Sequence, residues 1–139
     1  MRIPATILIP AILAGCQTLP ADVELPAAIQ AQVVRELTYV PDIVQYGQSD
    51  RWVAEPISKK GDCEDYALTM ANRLNQAGVP TSVEVCMIGA TQAHAVAVAH
   101  TLSGDWVLDN VQPYPIKKND FWRCTLWLGQ SRKPVYLGK

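Results

Sequence analysis

Apolar residues first fall into a helical rhythm at Ile29, Val33 and Leu37, spaced i, i+4, i+8, with Gln30, Gln32, Arg35 and Glu36 between them. This predicts a helix over 26–38, with Pro26 in its first turn and Pro41 just beyond its end. From Tyr39 to Gly61 no period is visible and turn-formers recur, so the segment reads as irregular, with Trp52 pinned to the core. A second helix opens at Gly61-Asp62-Cys63, buries Tyr66, Ala67, Met70, Ala71 and Leu74, and stops at Gly78-Val79-Pro80 with a left-handed glycine. Beyond Pro80 the period drops to two. Val83, Val85 and Met87 alternate with Ser82, Glu84 and Cys86, and His94, Val96, Val98 and His100 alternate with alanines, as strands do. Ser103-Gly104-Asp105 predicts a turn into a strand at Trp106–Asp109, and Phe121–Leu128 and Pro134–Leu137 read as further strands. Trp106, Trp122 and Trp127, at strand positions, are expected to fill the core or its rim. Helices first and antiparallel strands afterwards define an α+β fold.

The first residues follow a different logic. Met1-Arg2, the apolar run Ile3–Leu13 and Ala14-Gly15-Cys16 form a charged start, a short apolar middle and a small-residue exit, as in a secretory signal. Pro4 and Pro10 argue against a buried helix there. Leu13-Ala14-Gly15-Cys16 looks like a bacterial lipobox, which implies cleavage before Cys16 and lipid on that residue. Two lipid groups exceed the marginal hold of a single chain. The expected organisation is a signal peptide over 1–15, a polar Pro-bearing linker over 16–25, and one domain over 26–139 facing the periplasm of a bacterial envelope. Composition agrees with one domain: 139 residues, 49% hydrophobic and 18% charged. Twelve Lys+Arg against 13 Asp+Glu leave no basic block for phosphates, so no nucleic-acid partner is expected. No apolar run reaches the roughly 18–20 residues of a spanning helix. Neither the two histidines nor the four cysteines have zinc or haem spacing.

Chemistry concentrates on three residues. Cys63 lies at a predicted helix start, where free N–H groups and the helix dipole favour a thiolate, so its pKa is expected to be depressed. His94 projects from one face of an alternating strand and can serve as base for a thiol. Asp109 ends the next strand, where it can hold the imidazole in one tautomer. A tight turn at Ser103-Gly104 would pair Asp109 with Val98, about 13 Å along the strand from His94. A wider loop over 100–104 or a bulge is therefore expected. His100 shares the parity of His94 but reads as a solvated loop histidine. Cys86 and Cys124 are left as either a bridge between neighbouring strands or two separate buried thiols.

The block Gly61-Asp62-Cys63-Glu64-Asp65-Tyr66-Ala67, with His94-Ala95-Val96, Leu108-Asp109-Asn110 and an upstream Trp52 and Pro56, resembles the bacterial transglutaminase-like cysteine peptidases. The resemblance implies a papain-like, transglutaminase-like fold with Cys63 as nucleophile, His94 as general base and Asp109 as orienting acid. It also implies calcium, bound by the acids flanking the cysteine, Asp62 and Glu64. These same acids, with Asp65, also fit helix capping and dipole roles. The expected activity is hydrolysis of a protein or peptide substrate in the envelope through a thioester acyl-enzyme. Two alternatives use the same fold: a transglutaminase or amidase acting on an envelope amide, and a non-catalytic envelope or virion lipoprotein that only binds.

Overall fold

The structure, a computed structural model, describes residues 18–131 and the backbone of 136–137. The predicted signal peptide, Cys16 and Pro134 lie outside the described residues. In chain order the elements are α1 (Glu24–Glu36), β1 (Thr38–Tyr39), α2 (Asp42–Tyr46), β2 (Val53–Ala54), β3 (Lys60–Gly61), α3 (Cys63–Gln76), β4 (Thr81–Ile88), β5 (Gln92–Thr101), β6 (Gly104–Leu108), β7 (Ile116–Lys117), β8 (Leu126–Gln130) and β9 (Tyr136–Leu137). Five strands form an antiparallel sheet in the order β7-β6-β5-β4-β8, and α1 and α3 lie on it. The α+β expectation holds.

Each face of the central strands is covered. On the helix side, Val33 and Leu37 meet Tyr66, Met70, Ala71 and Leu74 from α3 and Ala97, Ala99 and Leu108 from the sheet. On the other side Val96, Val98 and Val107 pack with Phe121. Alanines line the helix side of β5 because α3 must approach the sheet closely there. The α3 stripe is as predicted, and Gly78 after its end has φ 84°, a left-handed conformation that glycine adopts without Cβ strain. Gln30, a polar residue of the predicted solvent face, is instead fully buried.

The structure corrects several expectations. The segment over 39–61 is not irregular throughout, because β1 pairs with β3 and β2 with β9 in short parallel ladders that strap the loop to the rest. The predicted strand over 121–128 begins only at Leu126, since Arg123 and its neighbours form a turn that feeds a short edge strand. Trp106 is buried and Trp127 packs on Phe121 with centroids 6.3 Å apart, but Trp122 is 75% exposed on that turn. Cys86 and Cys124 form a disulfide, which closes the alternative of two separate thiols.

Candidate active site

Cys63 is the first residue of α3, preceded by β3, and the tight passage between the two needs a glycine. A Cβ on Gly61 would lie 2.5 Å from Asp65 Cβ and 2.6 Å from its Oδ2. Asp65 is fully buried and accepts from the Val53 N–H at 2.7 Å, which docks β2 on the helix start. Asp62 holds the N-cap position, but its side chain makes no capping bond. It turns away, and Oδ2 accepts from the Asp42 N–H at 3.1 Å. The capping role expected for Asp62 is therefore not the one it plays.

His94 Nε2 lies 3.0 Å from Asp109 Oδ1, with both side chains buried. No widened loop is needed. The β5–β6 turn falls at Leu102-Ser103, one residue earlier than predicted, with Thr101 opposite Gly104 and Ala97 opposite Leu108. Extending that register places Asp109 across from Val96, on the His94 face, and its side chain bridges the remaining diagonal, which is within reach of such pairs. Gln30 Nε2 donates to the Asp109 carbonyl at 3.0 Å and to the Gln112 carbonyl at 2.8 Å, pinning the backbone that carries the carboxylate. Arg123 reaches the other carboxylate oxygen, Oδ2. Burial alone would raise the Asp109 pKa, but the hydrogen bond and charge of His94 and the Arg123 guanidinium hold it below the usual carboxylate value.

Cys63 and His94 line one narrow cleft of about 150 Å³, with Asp50, Trp52, Glu64 and Val85 among its walls. Trp52 also walls a second cavity of about 360 Å³ bounded by Ser82, Val83, His100 and Gln130. His100 lies in β5 and not in a loop, but its side chain is partly exposed as expected, 2.9 Å from Ser82 Oγ and 2.8 Å from Asp105. With Nε2 engaged by Asp109, His94 has Nδ1 available for the cleft. The Cys63 thiol donates to Glu64 Oε2 at 3.2 Å. Its pKa is raised, not depressed, because burial and the Glu64 charge disfavour the thiolate more than the Ala95 N–H favours it. The helix-terminus argument is outweighed by a carboxylate one residue away.

That carboxylate belongs to a group. Asp42, Asp62 and Glu64 are all buried, with one ligand oxygen from each lying within 4.8 Å of the others. Asp42 Oδ1 and Asp62 Oδ1 have no hydrogen-bond partner among the described residues. Burial, reinforced by Glu64, pushes Asp62 up to about 7. Three converging buried carboxylates, two of them with an orphaned oxygen, are the hard oxygen donors that a divalent cation takes, so the residues present fit a metal ion. Sequence reasoning missed Asp42, which comes from α2 twenty positions upstream, and also Gln30 and Arg123. Nothing local in the sequence marks any of the three.

A helix-terminal cysteine sharing a cleft with a strand histidine, itself bonded to an aspartate after the next strand, is the arrangement of papain-like and transglutaminase-like thiol enzymes. The chain belongs to the bacterial transglutaminase-like cysteine proteinases, whose family model matches residues 16–123. Among solved structures it is similar to calcium-bound Legionella pneumophila LapG, at 22% identity and TM-score 0.58, covering 82% of this chain and 72% of that one. It is also similar to EGTA-treated LapG, at 22% identity and TM-score 0.57, covering 71% of this chain and 57% of that one. The chain thus spans less than two thirds of the latter structure. A cysteine protease from Cytophaga hutchinsonii, so described in its structure's own name as a candidate, shares 13% identity at TM-score 0.50 over 78% of this chain and 36% of that one. No curated protein matches the sequence.

Proposed function

We propose that this protein is an envelope cysteine peptidase that cleaves a protein or peptide substrate through Cys63, His94 and Asp109. The observation that carries the reading is the His94–Asp109 hydrogen bond presented to the same cleft as a cysteine on a helix N-terminus. Asp109 fixes the ring with Nε2 occupied, and His94 takes the thiol proton through Nδ1. Cys63 Sγ bonds to the scissile carbonyl carbon, and the developing oxyanion faces the backbone N–H groups that open α3, which the Asp62 side chain leaves uncapped. His94 passes its proton to the leaving amine as the C–N bond breaks, giving a thioester. Water, deprotonated by His94, then releases the acid and restores the thiol.

Asp42, Asp62 and Glu64 would hold calcium in this reading, as the name of a LapG structure records for that protein. The cation would supply positive charge that offsets the carboxylates beside Cys63 and so favours the thiolate. The envelope location rests on Leu13-Ala14-Gly15-Cys16 and on the Cys86–Cys124 disulfide, a bond that persists in oxidising compartments. Lipid on Cys16 would hold residues 26–139 at the membrane surface across the 16–25 linker.

Product mass tests the reaction. Casein incubated with the protein and calcium in ¹⁸O-water should yield new C-termini carrying one heavy oxygen, and Cys63→Ala should yield none. Products joined to an added primary amine, with no ¹⁸O-labelled acids, would identify a transferase and overturn the peptidase reading.

A further inference from the structure

Asp109 is the only member of the proposed triad with a second charged partner. Its side chain is fully buried, with His94 on Oδ1 and Arg123 Nη1 2.5 Å from Oδ2. Arg123 sits in the turn before β8, away from the strand ladders that hold His94 in place. Three anchors flank it, one of them Thr125, whose N–H donates to the Met87 carbonyl at 2.8 Å and whose Oγ1 lies 3.0 and 2.9 Å from the Met87 and Gly89 carbonyl oxygens. Phe121 is buried against Val96, Val98 and Val107, and Cys124 is bonded to Cys86 with their Cα atoms 5.5 Å apart. Cys86 is in turn the cross-strand partner of His94. The chain of contacts is therefore closed: from His94 to Asp109, to Arg123, through Cys124 and the disulfide to Cys86, and back to His94 across the sheet.

We propose that Arg123, tethered by the Cys86–Cys124 disulfide, is a positioning residue that fixes the Asp109 carboxylate and so completes the active site only in the oxidised protein. The inference rests on the peptidase reading above for its consequence but not for its geometry. A buried carboxylate can rotate about its last bond, and an imidazole on one oxygen leaves the other desolvated. A guanidinium on Oδ2 satisfies that oxygen and sets the carboxylate plane, which aims Oδ1 at His94. The guanidinium reaches Asp109 from a turn held by Phe121, by the Thr125 hydrogen bonds and by the disulfide, of which only the disulfide acts on the residue next to Arg123. Cutting the disulfide frees the anchor adjacent to Arg123 while Phe121 and Thr125 keep the rest of the turn in place.

The test uses the whole chain labelled with ¹⁵N-histidine, which has only His94 and His100 to observe. The oxidised protein should show an exchange-protected, downfield His94 ring N–H. Arg123→Gln should lose it while His100 is unchanged and the melting curve stays cooperative, and Arg123→Lys should retain it. Dithiothreitol should abolish it too, as Cys86 and Cys124 each gain an electron and a proton and the reagent closes to its cyclic disulfide. With p-nitrophenyl acetate as probe, kcat should fall roughly tenfold to a hundredfold in Arg123→Gln with KM unchanged, the loss typical of a partner that orients a functional histidine. A His94 resonance that survives both Arg123→Gln and reduction overturns the proposal, whatever the activity. A resonance lost in both, in a protein without turnover, supports the positioning role and counts against the peptidase reading alone. If Arg123→Gln does not fold, Arg123→Lys and reduction of the wild type decide the matter.

Discussion

The Cys63 thiol donates to Glu64 Oε2 across 3.2 Å, so the candidate nucleophile is held in its protonated form by its own neighbour. Glu64 also belongs to the buried group with Asp42 and Asp62, so what occupies that group governs how the thiol behaves. Calcium should raise the melting temperature of the wild type, because a ligand of the native state alone adds about 2.7 kcal/mol at a hundred times its Kd. Asp42→Asn should remove most of this response while keeping the side-chain shape, and calorimetry in EGTA and in calcium measures it. Identical wild-type curves in the two media would remove the metal from the account.

A second charged group lies at the last turn of α3. Arg73 donates to Glu36 at 2.6 Å and to Glu55 at 2.9 and 2.8 Å, joining α1, α3 and the loop after β2. Hydrogen bonds from Arg73 hold both carboxyls below their usual 4.5. Between the folded values and 4.5 the unfolded chain binds more protons, so stability rises with pH in that window. The contribution is complete above 4.5 and is lost as pH falls through the folded values. Urea melts should show Arg73→Met flattening this acid limb, by about 1 kcal/mol or less because the partners are about a third exposed.

Gly61 offers a steric prediction. Gly61→Ala places a methyl group against the buried Asp65 side chain, which cannot yield without losing its bond to the Val53 N–H. Denaturant unfolding should register a loss of roughly 1–3 kcal/mol, the usual cost of overpacking. A change near zero would mean that the helix start accommodates a methyl group.

The parts of this site set by local rules were legible in the sequence. Glycine before an acid and a 3.6-residue stripe placed Cys63 at a helix start, and a two-residue alternation put His94 on one face of a strand. The β5–β6 turn was misplaced by one residue, since Thr101 to Asp105 offers several turn-formers and only the ladder selects among them. The direction of the Cys63 pKa was not legible, because the helix start alone favours a thiolate and only the fold shows the burial and the Glu64 charge that outweigh it. Asp42, Gln30 and Arg123 act at separations of 20, 79 and 14 residues from their partners, beyond any periodicity.

Cys63 is the only free cysteine among the described residues, which makes its reactivity simple to read. The most direct test of the account is the rate of Cys63 alkylation by iodoacetamide as a function of pH, in calcium, for the wild type and His94→Ala, with the modified residue located by mass spectrometry. With calcium offsetting the Glu64 charge that otherwise raises the Cys63 pKa, a thiol paired with His94 should react well below about pH 8.5, the ordinary cysteine value, and His94→Ala should lose that low-pH reactivity. A wild-type Cys63 that reacts only above about pH 8.5, at the same rate as in His94→Ala, would contradict the assignment of Cys63 and His94 as a catalytic pair.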